Sequence, residues 1–344
     1  MSLGANAKLP TVREICKAMK ISAVTAEVVL TGLEEQGVLT RRQGSGIYVS
    51  PRLYQKSVGL VFGRSAFAPG ASPFCGLLID HSRRRAENHN EIFSFYMDLP
   101  GMATEPGCPV HADLAAALGK RTIDGVLLSQ RHSAEQERWL RTQVPVVTFC
   151  GGVAKPFAPG NVGFDLQEMA TLAAKELATR GCRRVAMISA YDSGADIFPA
   201  ALGAVGLPVE PKRLLLPLKE NPDNEPRLTI GARAMRQLLA ATDAPDGVIV
   251  MDDMLATGAI AACNEAGRVV GQDVVLASHA NRGSPTLQPY EQQLILVEVD
   301  PGEIVEAMFD MLEGMMAGRT DHQPAAVNVK LSVKAGPAVR RAGS

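Results

Sequence analysis

The sequence predicts an α/β architecture: a small helix-helix-hairpin module leads into a larger region of doubly wound parallel sheets arranged as two lobes. Three observations carry this. Charge is unevenly spread, helical apolar spacing gives way to two β-rich runs within the first fifty residues, and from Val58 onward short apolar runs alternate with helical patterns.

At 344 residues the chain exceeds what one hydrophobic core usually serves, so more than one domain is expected. Its 46% hydrophobic and 21% charged content is that of a globular protein with a sizeable core. No apolar stretch approaches the roughly 20 residues of a membrane helix, and the opening residues lack a secretory pattern, so a cytoplasmic location without membrane contact is expected. The six cysteines (16, 75, 108, 150, 182 and 263) and the six histidines lack metal-ligand spacing, and the cysteines lack the density of a disulfide scaffold. No metal or cofactor is expected.

The first 56 residues hold eight Lys or Arg against four Glu, a net +4 inside a chain of net −1. A basic module on a mildly acidic body suits a polyanion partner. Pro10 precedes Thr11-Val12-Arg13-Glu14, a capping-box pattern, after which Val12, Ile15, Cys16 and Met19 recur at helical spacing. Ser22 can cap a second helix, with Ala26, Val29, Leu30 and Leu33 on one face and Gly37 as its stop. Two β-rich runs, 38–40 and 47–49, flank "RRQGSG", a glycine-permitted reversal. Helix, turn, helix, hairpin is the winged-helix order, in which the second helix enters a major groove and the hairpin lies on the backbone. Arg41 and Arg42 would then neutralise phosphates, with Gln43 and Ser45 adding hydrogen bonds. An ordinary surface hairpin is the other reading of "RRQGSG" alone.

The segment "LPTVREICKAMKISAVTAEVVLTGLEEQGVLTRRQGSGIYV", Leu9 to Val49, resembles the DNA-binding domain of GntR-family transcription regulators. The resemblance implies DNA contacts at Arg13, Ser22, Thr25, Arg41, Gln43 and Gly46. It also shows departures: Ala23 and Glu27 stand where the family places basic residues. Glu27 could accept from a cytosine amino group or be repelled by phosphate. Only eight residues precede Leu9, so the family's first helix is expected to be missing from this sequence.

Downstream, "VGLVF", "IFSFYM", "DGVLLS", "VPVVTF", "RVAMIS", "DGVIVM" and "DVVLAS" read as buried parallel strands separated by helices, too many for one sheet. No phosphate-loop, dinucleotide or nucleophile-elbow motif occurs, so no catalytic residue and no enzyme is expected. Cys75 reads as a core thiol, and the Ser82–Arg85 run as a solvated helix end.

From Val58 to about Val339 the chain resembles the effector domain of LacI/GalR-type repressors, which are related to periplasmic sugar-binding proteins; the order of "SPFCGLLIDH", "NVGFD", "APDGVIVMDDMLATGAIAACNEAG" and "VDPGEIVEAMFDML" carries the match. The resemblance implies a winged-helix domain at 1–50, a linker at 51–57 and a periplasmic-binding-protein-like domain at 58–344. Its N-lobe would be about 58–161 with 288–317, its C-lobe about 162–287 with 318–340, and a ligand would sit in the cleft between them. Ser72, Phe74, Asp165 and the Asp252-Asp253 pair match the family's cleft positions. Tyr191 opens a stretch lacking the family's usual arginine, and His279, Ala280 and Asn281 replace its usual Phe-Asp-Asp. Asp165 could instead only cap a helix, and His279 could be a strand-end histidine. The whole points to a ligand-responsive repressor, a homodimer that binds double-stranded operator DNA and senses a sugar-like effector. A small-molecule-binding protein without DNA function is the alternative.

Overall fold

The computed structural model describes residues 3–63, 66, 72–98, 108–129, 132–153, 160–189, 193–216, 225–317 and 326–336. The chain divides into two compact units, 1–64 with 82–148 and 309–322, and 65–81 with 149–308 and 323–344.

The first unit opens with α1 (Val12–Met19). Thr11 Oγ1 accepts from the Glu14 N–H at 3.4 Å while the Glu14 carboxylate accepts from the Thr11 N–H at 2.7 Å, which is the expected capping box. Helix α2 (Ala23–Glu35) is capped by Ser22, whose hydroxyl oxygen accepts from the Thr25 N–H at 3.0 Å. Strands β1 (Leu39–Arg42) and β2 (Gly46–Val49) form the antiparallel hairpin, with Arg42 opposite Gly46. Residues 6–9 run along the other edge of β2, where the Leu9 N–H donates to the Ile47 carbonyl at 2.8 Å. Leu30, Leu39 and Ile47, packed by Leu9, Val12, Ile15, Leu33 and Val38, make a small core of their own.

After a single turn at Pro51–Tyr54 comes β3 (Ser57–Gly63), buried along almost its whole length and parallel to both β4 (Ile92–Asp98) and β5 (Gly125–Ser129). Burial on both faces is what selects its unbroken apolar run. The connecting helices are α3 (Phe74–Asn88), α4 (Ala112–Gly119) and α5 (Ala134–Gln143), and β6 (Val146–Val153) lies beside β5.

The Ser82–Arg85 run corrects its sequence reading. Arg83 and Arg84 are exposed, but the helical period turns Ser82 and Arg85 inward, and Arg85 is buried against Glu91 at 3.1 Å and Glu313 at 2.6 Å. Cys75 is buried, and burial pushes its thiol up to about 11, so it stays protonated and unreactive.

In the second unit β7 (Asn161–Asp165) lies beside β6 and pairs in parallel with β13 (Val327–Asn328). The second sheet has the order β14-β12-β11-β10-β8-β9: β8 (Val185–Ile188), β9 (Leu214–Leu215), β10 (Gly247–Val250), β11 (Val275–Asn281) and β12 (Leu294–Val299) are parallel, and β14 (Leu331–Ala335) is antiparallel at the edge. Helices α6 (Leu166–Thr179), α7 (Gly194–Gly203), α8 (Arg227–Leu239) and α9 (Asp253–Glu265) complete it, and α10 (Pro301–Met316) begins in this unit and ends in the first. Residues 294–299, expected to follow a return to the N-lobe at 288, instead supply a strand to this second sheet, and 162–165, expected in the C-lobe, extend the first. An apolar run such as "LILVEV" specifies burial on both faces without specifying which sheet receives it.

Helices α8 and α9 pack at backbone contact. A Cβ on Gly258 would lie 1.9 Å from the Leu228 carbonyl oxygen, and one on Gly231 would lie 2.0 Å from that of Leu255, so both crossings require glycine.

Candidate functional site

The winged helix presents an exposed surface made of α2, the wing and the chain start. Ser22 and Thr25 hydroxyls lie 2.8 Å apart at the N-terminus of α2, a position suited to a phosphate oxygen. Arg13 is exposed on the first turn of α1. At the wing tip Gln43 and Ser45 are exposed around Gly44, whose φ of +71° is a left-handed conformation, and Gly46 has φ of +123°. Arg42 donates to Asn6 Oδ1 at 2.7 Å and stacks on the Tyr48 ring at 4.6 Å, with the Lys8 ammonium 6.0 Å from the same ring. The Ser45 and Tyr48 hydroxyls are 2.5 Å apart. Sequence reasoning missed Lys8 and Tyr48, although a lysine ahead of Leu-Pro and an aromatic in the wing were readable.

Arg41 behaves differently from Arg42. Its Nη1 donates to Glu27 Oε1 at 2.5 Å, its Nε lies 3.1 Å from Glu34 Oε2, and its Nη2 donates to Thr31 Oγ1 at 3.4 Å. The hydrogen bond to Glu27 holds the guanidinium above its ordinary pKa. Glu27, the acidic departure, is therefore matched by a cation from the wing.

The other candidates fall within the second unit. Asp252 caps α9: its Oδ1 accepts from the Met254 and Leu255 N–H groups at 3.0 and 3.1 Å, while its Oδ2 is ion-paired with Arg227. Asp253 is buried; the Ser72 hydroxyl and the Asn281 amide each donate to its carboxylate at 3.4 Å. Burial first, and then the neighbouring Asp252 charge, push its carboxyl up to about 6. Ser72 Oγ also accepts from the Phe74 N–H at 3.3 Å, and the Phe74 ring meets Phe149 at 5.3 Å. His279 lies on β11 with its ring stacked on Phe164, centroids 5.2 Å apart and planes at 6°. Burial lowers its pKa to about 4, so it is neutral, and its Nε2 has no hydrogen-bond partner among the described residues.

Asp165 takes the capping role, its Oδ1 accepting from the Gln167 and Glu168 N–H groups at 2.8 and 3.2 Å. Tyr191 lies outside the described residues. The structure thus brings Ser72, Phe74, Asp253 and Asn281 together, and joins Asp252 to an arginine that sequence reasoning missed. Arg227, following Pro226 at the start of α8, was the readable signal for it. A small pocket beside Asp253 and Asn281 is lined further by Ser284, Gln288, Glu291 and Glu298. Among the described residues no cluster of His, Cys, Asp and Glu could hold a metal, and no helix is long and apolar enough to cross a membrane.

Two family models match separate parts of the chain. Residues 1–49 match the family model of bacterial regulatory proteins of the gntR family, and residues 174–339 match that of the periplasmic binding protein-like domain. A curated relative, the HTH-type transcriptional repressor PurR of Yersinia pestis bv. Antiqua (strain Antiqua), is 27% identical over 236 residues, 64% of this chain and 67% of its own. Among solved structures, a transcriptional regulator CelR–cellobiose complex is similar over 97% of this chain and 100% of its own, with 19% identity and a TM-score of 0.63. A regulatory protein of the LacI family from Chloroflexus aggregans is similar over 80% of this chain and 96% of its own, with 19% identity and a TM-score of 0.63. A LacI transcriptional regulator from a Rhodococcus species covers 82% and 99% at 21% identity, with a TM-score of 0.62. The chain thus carries a segment similar to the gntR-family regulatory domain and a segment similar to the periplasmic binding protein-like domain, on a fold shared with solved LacI-family regulators.

Proposed function

We propose that the protein is a cytoplasmic, dimeric repressor that binds a two-fold operator through its winged helix and releases it when a sugar-like metabolite binds around Asp253, Asn281 and His279. The observation that carries the ligand reading is the orphaned Nε2 of buried His279, neutral and stacked on Phe164, on the same strand as Asn281, whose amide reaches the Asp253 carboxylate. A buried polar atom left unmatched is costly unless a ligand supplies its partner. Carboxylate, amide and imidazole suit vicinal hydroxyls, and the Phe74–Phe149 pair supplies an apolar surface for a C–H face. The cellobiose in one solved neighbour and the repressor name of the relative lend the same support.

On the DNA side Arg13, Ser22, Thr25, Arg42, Gln43, Ser45 and Gly46 form the contact set, with Arg41 held by Glu27. Effector acts by differential affinity for two states of the protein, and operator and effector therefore weaken each other's binding by the same factor. A thermal-shift panel of sugars, sugar phosphates and purines tests the ligand: a tight one stabilises by about 2.7 kcal/mol at a hundredfold excess over Kd. A hit that survives unchanged in a His279→Ala, Asn281→Ala double variant would place the ligand elsewhere. The engagement of Arg41 by two glutamates favours a second reading, a ligand-binding protein without DNA function. Failure of the full chain to retain any duplex from its own upstream region, across a salt series, would select that reading.

A further inference from the structure

Helix α2 is an unusual element to place in a groove lined by phosphates. Residues 23–35 contain three glutamates and no lysine or arginine. Two of those glutamates, Glu27 and Glu34, are turned toward the wing and held by Arg41. The ridge opposite buried Ala26 and Leu30 then consists of Val24, Val28 and Thr31, one helical turn apart, and Val24 and Val28 are 74% and 68% exposed. Single exposed valines need no explanation, but these two stand one turn apart on the same ridge, and Val29 and Met19 are exposed as well, at 52% and 67%.

The surroundings identify the occupant. The surface is bordered by the Ser22 and Thr25 hydroxyls at the helix N-terminus, and the same small domain carries the exposed cations Arg13, Lys8 and Arg42. This is the equipment of a phosphate-gripping frame around an apolar centre. In the major groove only thymine offers a methyl group, and a valine cannot hydrogen-bond to any base edge. The N-terminal half of a recognition helix is the part that reaches bases.

We propose that Val24 and Val28 read thymine methyl groups in the major groove, and that Glu27 anchors Arg41 at the root of the wing rather than contacting a base. The proposal rests on the DNA-binding reading above and deepens it: each operator half-site carries A·T pairs beneath the first turns of α2. Glu27 and Arg41 neutralise each other, which lets an otherwise acidic helix approach the backbone.

The test begins with the full chain and a pool of random-sequence duplexes. Retained sequences are resynthesised with deoxyuridine for thymidine at single positions, which removes one methyl and nothing else. One or two positions per half-site lose affinity about fourfold, the effect of one apolar carbon buried. Val24→Ala and Val28→Ala each abolish the thymine-uracil difference at one position and leave folding intact, because both sites are exposed and alanine is the better helix former. Glu27→Ala keeps the thymine preference and raises affinity for every duplex. Thymine-to-uracil changes without effect in the unaltered protein, selected sites that are G·C beneath the helix, or loss of a cytosine preference in Glu27→Ala would each overturn the proposal. Retention of no duplex at any salt concentration overturns the DNA-binding reading itself, a result distinct from binding that ignores the methyl.

Discussion

The imidazole of His279 lies flat on the phenyl ring of Phe164, with centroids 5.2 Å apart and planes 6° from parallel. This stack keeps the histidine dry, and burial takes its pKa from 6.5 to about 4. Between those values the unfolded chain binds a proton that the native protein does not. Stability therefore rises with pH across that window, by about 3 kcal/mol from this group, is fully present above pH 6.5, and is lost as pH falls toward 4. His279→Phe, which keeps the stack, removes this contribution, and the difference in stability between variant and parent, followed by urea unfolding at a series of pH values, measures it.

Asp253 has the opposite sign. Its carboxyl rises from 3.8 to about 6, so in that window the native protein holds a proton the unfolded chain has released, and stability falls as pH rises. Asp253→Asn is expected to be more stable than the parent above pH 6, by up to about 3 kcal/mol, and equal to it below pH 4. In the unaltered protein the two slopes largely cancel, so each is seen only when the other is removed.

Arg85 is buried between Glu91 and Glu313. Arg85→Met strands a carboxylate and costs about 3–5 kcal/mol, whereas adding Glu91→Leu recovers most of that loss. A double variant no more stable than the single one would show that the pair's geometry matters less than the arginine's own packing against Phe309, 5.0 Å from its guanidinium.

Gly258→Ala forces a methyl against the Leu228 carbonyl, which is backbone and has nowhere to turn. The expected loss is at least about 1–3 kcal/mol, read as a lower melting temperature. Gly203→Ala, with open space around its Cβ position, is the comparison and should be neutral or stabilising.

Arg42→Ala removes one wing cation together with its stack on Tyr48. Duplex affinity falls for all sequences alike, and the slope of log affinity against log salt flattens by about one. A variant that changed which sequences are selected would instead make Arg42 a base reader.

The winged helix was legible because its signals are local: Thr11 and Ser22 cap the helices they precede, and glycines 44 and 46 turn the hairpin. The α/β character followed equally from buried apolar runs. What the sequence left unread depends on contacts between distant residues. Arg227 meets Asp252 only because α8 and α9 lie side by side, and Arg85 is buried only because Glu91 and Glu313 converge on it. The roles of Asp165 and Asp252 were ambiguous for a related reason, since a carboxylate at a strand-to-helix junction can cap the helix, meet a ligand, or do both.

The glycine crossings have a consequence for how a ligand signal travels. Two helices whose main chains touch leave no room for a side chain between them, so α8 and α9 pack as one block whose N-terminal ends are tied by the Arg227–Asp252 ion pair. On the proposed ligand reading, a molecule that engages either side chain therefore acts on both helices at once.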